Sequence, residues 1–218
     1  RTETSIGERP VSIAAAAVDL ARDVHGDLTK SSGLLIGVGD MGYMVAEHLQ
    51  HAGLAHLTIT HPLETRAVIM ANALECHSVD YSKRASVMAN ADVVITALGR
   101  GGYALNADMV LSALKARRMR PIYLVDLAVP GDIDPAVNRV DAAFLYELSD
   151  LERIVSDGRA SREMEAKAGR EIVLAEVTAF LNQRAGRAAV PVVKLLRQHG
   201  ERLRDEVLRQ AGNDAERA

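Results

Sequence analysis

After Pro10 the chain places Ala14, Ala17, Val18, Ala21 and Val24 at helical spacing, and Gly26 stands where a left-handed cap would end the helix. The run Leu34–Val38 (LLIGV) is apolar throughout, as a strand buried on both faces would be. From there the pattern alternates. Helices are predicted over 41–52 and 63–74, with a strand over 56–60 (HLTIT) between them. A short strand near 76–79 precedes a helix ending about Met88. Then come a strand over 92–98 (DVVITAL), a helix over 106–117, and strands over 122–128 (IYLVDLA) and 143–147 (AFLYE). Short, wholly apolar strands alternating with helices predict an α/β fold: a doubly wound, Rossmann-like, mostly parallel sheet. Beyond it the chain reads as helix almost throughout, so long C-terminal helices follow the sheet.

Charge marks the same change. Up to Asp150 there are 13 Lys+Arg against 18 Asp+Glu, and from Leu151 onward 13 against 11. The second stretch holds one proline, Pro191, and no aromatic after Phe180. A domain boundary is therefore expected near Asp150. Residues 156–170 have little apolar content beyond Met164 and alanines, the pattern of a helix that bridges between domains. Val193, Leu196, Gly200, Leu203 and Val207 then step by three and four, a seam that can pair helices between subunits. So short a seam predicts a monomer or a weak dimer; a lone amphipathic helix is the other reading.

The chain of 218 residues has 48% hydrophobic and 25% charged residues, as ordinary globular proteins do. No apolar run approaches the roughly 18–20 residues of a membrane span, so no membrane role is expected. A net charge of −3 with 3% aromatics argues against a DNA-binding module. The single cysteine, Cys76, excludes an internal disulfide and fits a reducing cytosol, hence a cytoplasmic location. Beside His77 it invites a nucleophile reading, but neighbours on a strand point to opposite faces, and a buried apolar cysteine is expected. His48, His51 and His56 lack metal-ligand spacing and no metal site is expected. The start at Arg1 suggests a piece of a longer chain.

One motif carries chemistry. Gly37-Val38-Gly39-Asp40-Met41-Gly42 follows the first strand and opens a helix. In that setting Gly37 permits the turn, Gly39 lets a pyrophosphate approach the backbone, and Gly42 lets helix and strand pack closely. The helix N-terminus supplies N–H donors to the phosphates. A carboxylate that would accept the ribose 2′-hydroxyl of NAD is expected at the end of the second strand. Thr60-His61-Pro62 stands there instead, with no acid before Glu64, which favours NADP(H). Thr60 and His61 offer neutral donors, and Arg66 one helical turn on is a candidate for the 2′-phosphate; a solvated helix residue is the other reading of Arg66.

RTETSIGE and VSIAAAAVDLA, then GVGDMG, ARRMRPIYLVDLAVPGDIDP, LYELSDL and VPVVKLLR, in that order, resemble the glutamyl-tRNA reductase family. Arg117–Pro135 is the most specific part. The resemblance implies an enzyme of tetrapyrrole (porphyrin) synthesis, an oxidoreductase that reduces glutamyl-tRNA with NADPH to glutamate-1-semialdehyde. It implies a homodimeric parent in which residues 1–150, led in by a helix within 1–26, form the NADP-binding domain. Residues 151–218 would be the long connecting helix and the start of the dimerisation domain. The family's catalytic cysteine lies upstream of anything matching Arg1, so no catalytic residue is assigned here and the piece alone is expected to be inactive. Thr96 and Leu98, at the end of the fourth strand, join the expected cofactor residues.

Two departures stand out. His61-Pro62-Leu63 replaces the family's Asn-Arg-Thr, and the turn after the fourth strand has extra glycine, Gly99-Arg100-Gly101-Gly102. Gly131 and Glu147 also depart, standing where arginine and aspartate are common. A dehydrogenase of shikimate type and a non-catalytic nucleotide- or partner-binding relative are the alternatives. The basic run Lys115–Arg120 is read as a helix end that complements the macrodipole, with contact to tRNA phosphates as its other reading. Asp126 is expected to hydrogen-bond locally and shape the cleft.

Overall fold

Six parallel strands lie in the order β3-β2-β1-β4-β5-β6, which is the doubly wound arrangement. They are β1 (Ser32–Gly37), β2 (His56–Thr60), β3 (His77–Ser78), β4 (Val93–Ala97), β5 (Ile122–Asp126) and β6 (Ala143–Glu147). The computed structural model describes Pro10 and residues 12–215. The RTETSIGE run at the start lies outside the described residues, as do Val11 and the side chain of Val190.

The helices are α1 (Ile13–His25), α2 (Asp40–His51), α3 (Glu64–Ala73), α4 (Arg84–Met88), α5 (Ala107–Ala116) and α6 (Leu148–Ala215). Helix α1 is started by Ser12, whose hydroxyl accepts from the Ala15 amide, and ended by Gly26 at φ +72°. One face of the sheet is covered by α1, α2, α3 and the start of α6, around Val45, Leu49, Ile59, Ile95 and Tyr123. The other carries α4 and α5 around Ile36, Met88, Val94, Leu114 and Leu124. Burial on both faces is why β4 and β5 read as unbroken apolar runs.

The chain divides into two compact units, the first ending at Glu163 and the second starting at Met164. The boundary expected near Asp150 falls instead within the first turn of α6. Leu151 and, one turn on, Val155 are still buried in the α/β unit, so the break comes about four turns beyond Asp150. In the second unit α6 carries Pro191 within the helix.

The basic run ends α5 as expected, with Lys115 in the last turn and Arg117 at the C-cap, but one of its side chains does more. Arg117 turns inward, only 4% exposed. It pairs with Asp92 and donates to the Ala91 carbonyl. Asp92 in turn accepts from the Ser32 amide (3.1 Å), and its carbonyl meets His25 Nε2 (2.8 Å). The cluster ties α1, β1, β4 and α5 together at the amino edge of the sheet, away from the glycine motif.

Candidate functional site

The strand register puts the expected site residues on one edge. Ile36 pairs with Thr60 on one side and with Thr96 on the other. The turns after β1, β2 and β4 therefore lie side by side at the carboxyl edge, where ligands bind in open α/β sheets.

Gly37 has φ +112°, and a Cβ there would stand 2.4 Å from the Ala97 carbonyl oxygen. At Gly42 a Cβ would reach 2.7 Å from Ala97 Cβ and 3.1 Å from Leu35 Cδ1. Both positions need glycine, one for its φ and contact with backbone, the other for the approach of α2 to the sheet. Gly39 is the N-cap of α2 and supplies no side-chain cap. The first-turn N–H groups of α2 therefore remain without side-chain acceptors, directed at the space beyond β1. Val38, Asp40 and Met41 complete the turn, with Asp40 exposed and Val38 and Met41 half-buried.

Thr60 is fully buried and its hydroxyl has no partner. His61 is buried with Nδ1 2.8 Å from the Leu63 amide nitrogen, accepting its hydrogen. Nδ1 also lies 3.2 Å from the Leu63 carbonyl oxygen; in the tautomer that accepts the Leu63 hydrogen, Nε2 carries the proton and is a donor. Burial depresses the His61 pKa below the usual range, and the charges of Arg66 and Arg100 depress it further, against the opposing Leu63 bond. Arg66 is exposed on α3. With Val38, Asp40, Tyr43, Ile69 and Met70 it borders a cavity of about 380 Å³ between α2 and α3.

Thr96 and Leu98 lie at the edge, but their polar groups are engaged within the protein. The Thr96 hydroxyl donates to Asp126 Oδ1 (2.9 Å), and the Leu98 amide donates to Asp132 Oδ2 (2.6 Å). Asp132 also accepts from the Gly99 amide (3.0 Å). Asp126 Oδ2 accepts from the amides of Asp132 and Ile133, both at 2.8 Å, and its Oδ1 accepts from that of Ala128 (3.1 Å). These two buried carboxylates hold the loops after β4 and β5 in place; the local role expected of Asp126 is what its contacts show. Burial raises the Asp132 pKa above the usual carboxylate range, and Asp126 adds to this, while the amides of Leu98, Gly99 and Arg100 oppose it. The loops border a cavity of about 780 Å³ whose lining includes Gly102, Tyr103, Pro130, Gly131, Glu147 and Glu152. Sequence reasoning missed Asp132, whose signal was its place in Val129-Pro130-Gly131-Asp132, directly after the strand edge.

Cys76 is half-buried, and burial pushes its thiol pKa up, the opposite of nucleophile activation. Among the described residues no group of His, Cys, Asp or Glu could hold a metal ion. Nor is any described helix long and apolar enough to cross a membrane.

Residues 19–154 match the family model described as shikimate / quinate 5-dehydrogenase. Residues 168–217 match the dimerisation domain of glutamyl-tRNA reductase. A glutamyl-tRNA reductase of Rhodospirillum rubrum is 44% identical over 220 residues, covering 100% of this chain and 51% of the relative. The chain belongs to the shikimate/quinate 5-dehydrogenase family. The solved glutamyl-tRNA reductase from Methanopyrus kandleri superposes with a TM-score of 0.76 at 30% identity, over 82% of this chain and 45% of that one. The nucleotide-binding domain of the Thermoplasma volcanium glutamyl-tRNA reductase shares the fold, with a TM-score of 0.56 at 21% identity over 71% of this chain and 98% of that one. The α/β unit thus has the Rossmann-type fold, and the residues that match a dimerisation domain follow it. The chain spans about half the length of the curated relatives it matches.

Proposed function

We propose that this chain is the cofactor-binding and dimer-forming part of a glutamyl-tRNA reductase, with NADPH as its cofactor. The observation that carries the reading is the glycine-lined turn from β1 onto the uncapped N-terminus of α2. Its close contacts with Ala97 leave no room for side chains, and its backbone donors have the chemistry a pyrophosphate needs. The residues present fit the group. Gly37, Val38, Gly39, Asp40, Met41 and Gly42 would hold the pyrophosphate through their backbone, and Thr60 and His61 would meet the adenosine ribose with neutral donors. When bound, the nicotinamide supplies a hydride. The part of Thr96 and Leu98 is then to shape the nicotinamide side through the Asp126 and Asp132 network, rather than to contact the cofactor with polar side-chain atoms.

In the whole protein this unit would serve the reduction of glutamyl-tRNA to glutamate-1-semialdehyde for tetrapyrrole synthesis, in the cytoplasm. The partners would be glutamyl-tRNA and a second copy of the chain. The likeness of the whole of this chain to part of the glutamyl-tRNA reductases favours this over a shikimate-type dehydrogenase. Calorimetric titration of the 218-residue chain with NADPH and with NADH tests the cofactor assignment. NADPH is expected to bind the more tightly. Binding of neither nucleotide would leave the chain a non-catalytic relative, and a preference for NADH would reverse the cofactor assignment.

A further inference from the structure

The cavity of about 780 Å³ at the carboxyl edge is bordered by Gly101, Gly102 and Tyr103 from the loop after β4, and by Val129 and Gly131 from the loop after β5. Gly101 takes φ +76°, where glycine is favoured. Gly102 has no such need. Its φ lies outside the left-handed region, and a Cβ there would meet nothing within 4 Å. Neither backbone conformation nor packing calls for glycine at 102, and a side chain would take up open space beside the cavity.

Tyr103 is 59% exposed and Val129 78%, so two large apolar groups border the cavity in contact with water. Among the described residues the Tyr103 ring meets no other ring or cation, and its hydroxyl has no hydrogen-bond partner. Its backbone is nevertheless held. The next two amides, of Ala104 and Leu105, donate to the Asp132 carbonyl (2.6 and 3.2 Å). The Asp132 carboxylate accepts from Leu98 and Gly99 at the other end of the loop. One buried residue therefore fixes both ends of the exposed segment 99–103, and Tyr103 is presented at the cavity from a fixed base.

The place of the cavity on the edge decides what these groups face. Thr60 and His61 lie on the β2 side of the glycine turn, so the other half of a dinucleotide runs toward β4 and β5. The ends of β1 and β5 stand two strand spacings apart, about 10 Å, a span that a ribose and the ring attached to it can bridge. A flat ring of low polarity packs well against an aromatic face. We propose that Tyr103 packs its ring against the dihydronicotinamide ring of the bound cofactor, with Val129 as a second apolar contact, and that Gly102 lacks a side chain to admit that ring. The proposal rests on the cofactor reading above and deepens it, giving the glycine-rich turn after β4 a part in holding the nicotinamide half.

Two titrations of the 218-residue chain separate the halves of the cofactor: NADPH, read by its dihydronicotinamide fluorescence, and 2′-phospho-ADP-ribose, which lacks that ring, read by calorimetry. Tyr103→Ala is expected to weaken NADPH binding about two- to tenfold and to reduce the rise in its emission on binding, with 2′-phospho-ADP-ribose unchanged. Tyr103→Phe should match the unaltered protein, since the ring and not the hydroxyl makes the contact. Gly102→Val should weaken NADPH and spare the ringless nucleotide, while melting with the unaltered protein. If both ligands bind the unaltered protein and Tyr103→Ala changes neither, or weakens both alike, the role of Tyr103 is overturned and the cofactor reading stands. If the unaltered protein binds neither, the cofactor reading falls and the proposal with it.

Discussion

At Gly37 a single hydrogen atom in place of a side chain decides whether the site exists. Its φ of +112° is costly for any other residue, and a Cβ would meet the Ala97 backbone at 2.4 Å. Gly37→Ala is therefore expected to lose at least about 1–3 kcal/mol from backbone strain alone. Thermal melts read that loss, and nucleotide titration should show binding abolished; an alanine variant as stable as the parent would mean the turn differs from the one described. Protonation is the second lever at this scale. Burial is the main cause that lowers the pKa of both His25 and His61 below the usual 6.5. As pH falls through 6.5, the unfolded chain takes up protons that the folded chain resists, so the stability present above that pH is lost on acidification. The urea midpoint should fall between pH 7.5 and pH 6, and fall less in His61→Gln. A midpoint that rises would contradict buried neutral imidazoles. The glycine motif was legible because its meaning is local: strand, turn and helix are consecutive. The inward turn of Arg117 and the clamp by Asp132 were not, because each depends on a partner 25 or more positions away.

Elements followed the hydrophobic pattern wherever a segment was wholly buried or clearly periodic. The strands expected at 56–60 and 143–147 appear with those bounds, whereas the one near 76–79 is reduced to His77–Ser78. That segment sits at the sheet edge, paired only to β2, and so has little burial to define it. The amino-edge cluster gives the element scale its own test. With Arg117 nearly enclosed and Asp92 beside it, Arg117→Ala takes the guanidinium from Asp92 Oδ1 and from the Ala91 carbonyl, leaving the carboxylate only the Ser32 amide. A loss of about 3–5 kcal/mol is expected on breaking such a pair from one side, read from denaturant unfolding. A loss under about 1 kcal/mol would class the pair with exposed ones. Helix α6 behaves differently along its length. Leu151, Val155 and Gly158 are buried, but Met164 is 69% exposed and its neighbours are mostly polar. Trypsin should therefore cut first at Lys167 or Arg170, leaving the α/β unit whole, because backbone there opens without exposing core. First cuts within 93–129 would show that the compact unit has been drawn wrongly.

For the whole molecule, association depends on how much apolar surface the second unit has to cover. The seam read from the sequence began at Val193, and its few steps suggested weak pairing at most. The described residues add an earlier stripe: Val173, Val177, Phe180 and Leu181 are 60%, 48%, 62% and 54% exposed and recur at helical spacing. With Val193, Leu196, Leu203 and Val207, also exposed, the apolar positions run from 173 to 207, within the segment that matches the dimerisation domain. Monomeric proteins rarely leave contiguous apolar patches beyond a few hundred Å² in water, whereas stable interfaces bury about 1,200–2,000 Å² in total. A helical surface of this length favours self-association of the isolated chain over the weak pairing that the short seam alone would support. Sedimentation equilibrium at micromolar concentration is expected to give the dimer mass. Phe180→Glu and Leu196→Glu should each shift it toward the monomer, since each places a charge on the surface to be buried. Nucleotide binding by the α/β unit should survive both changes, because the residues proposed to hold the cofactor all precede α6. A parent chain that remains monomeric at these concentrations would return the stripe to a partner of another kind.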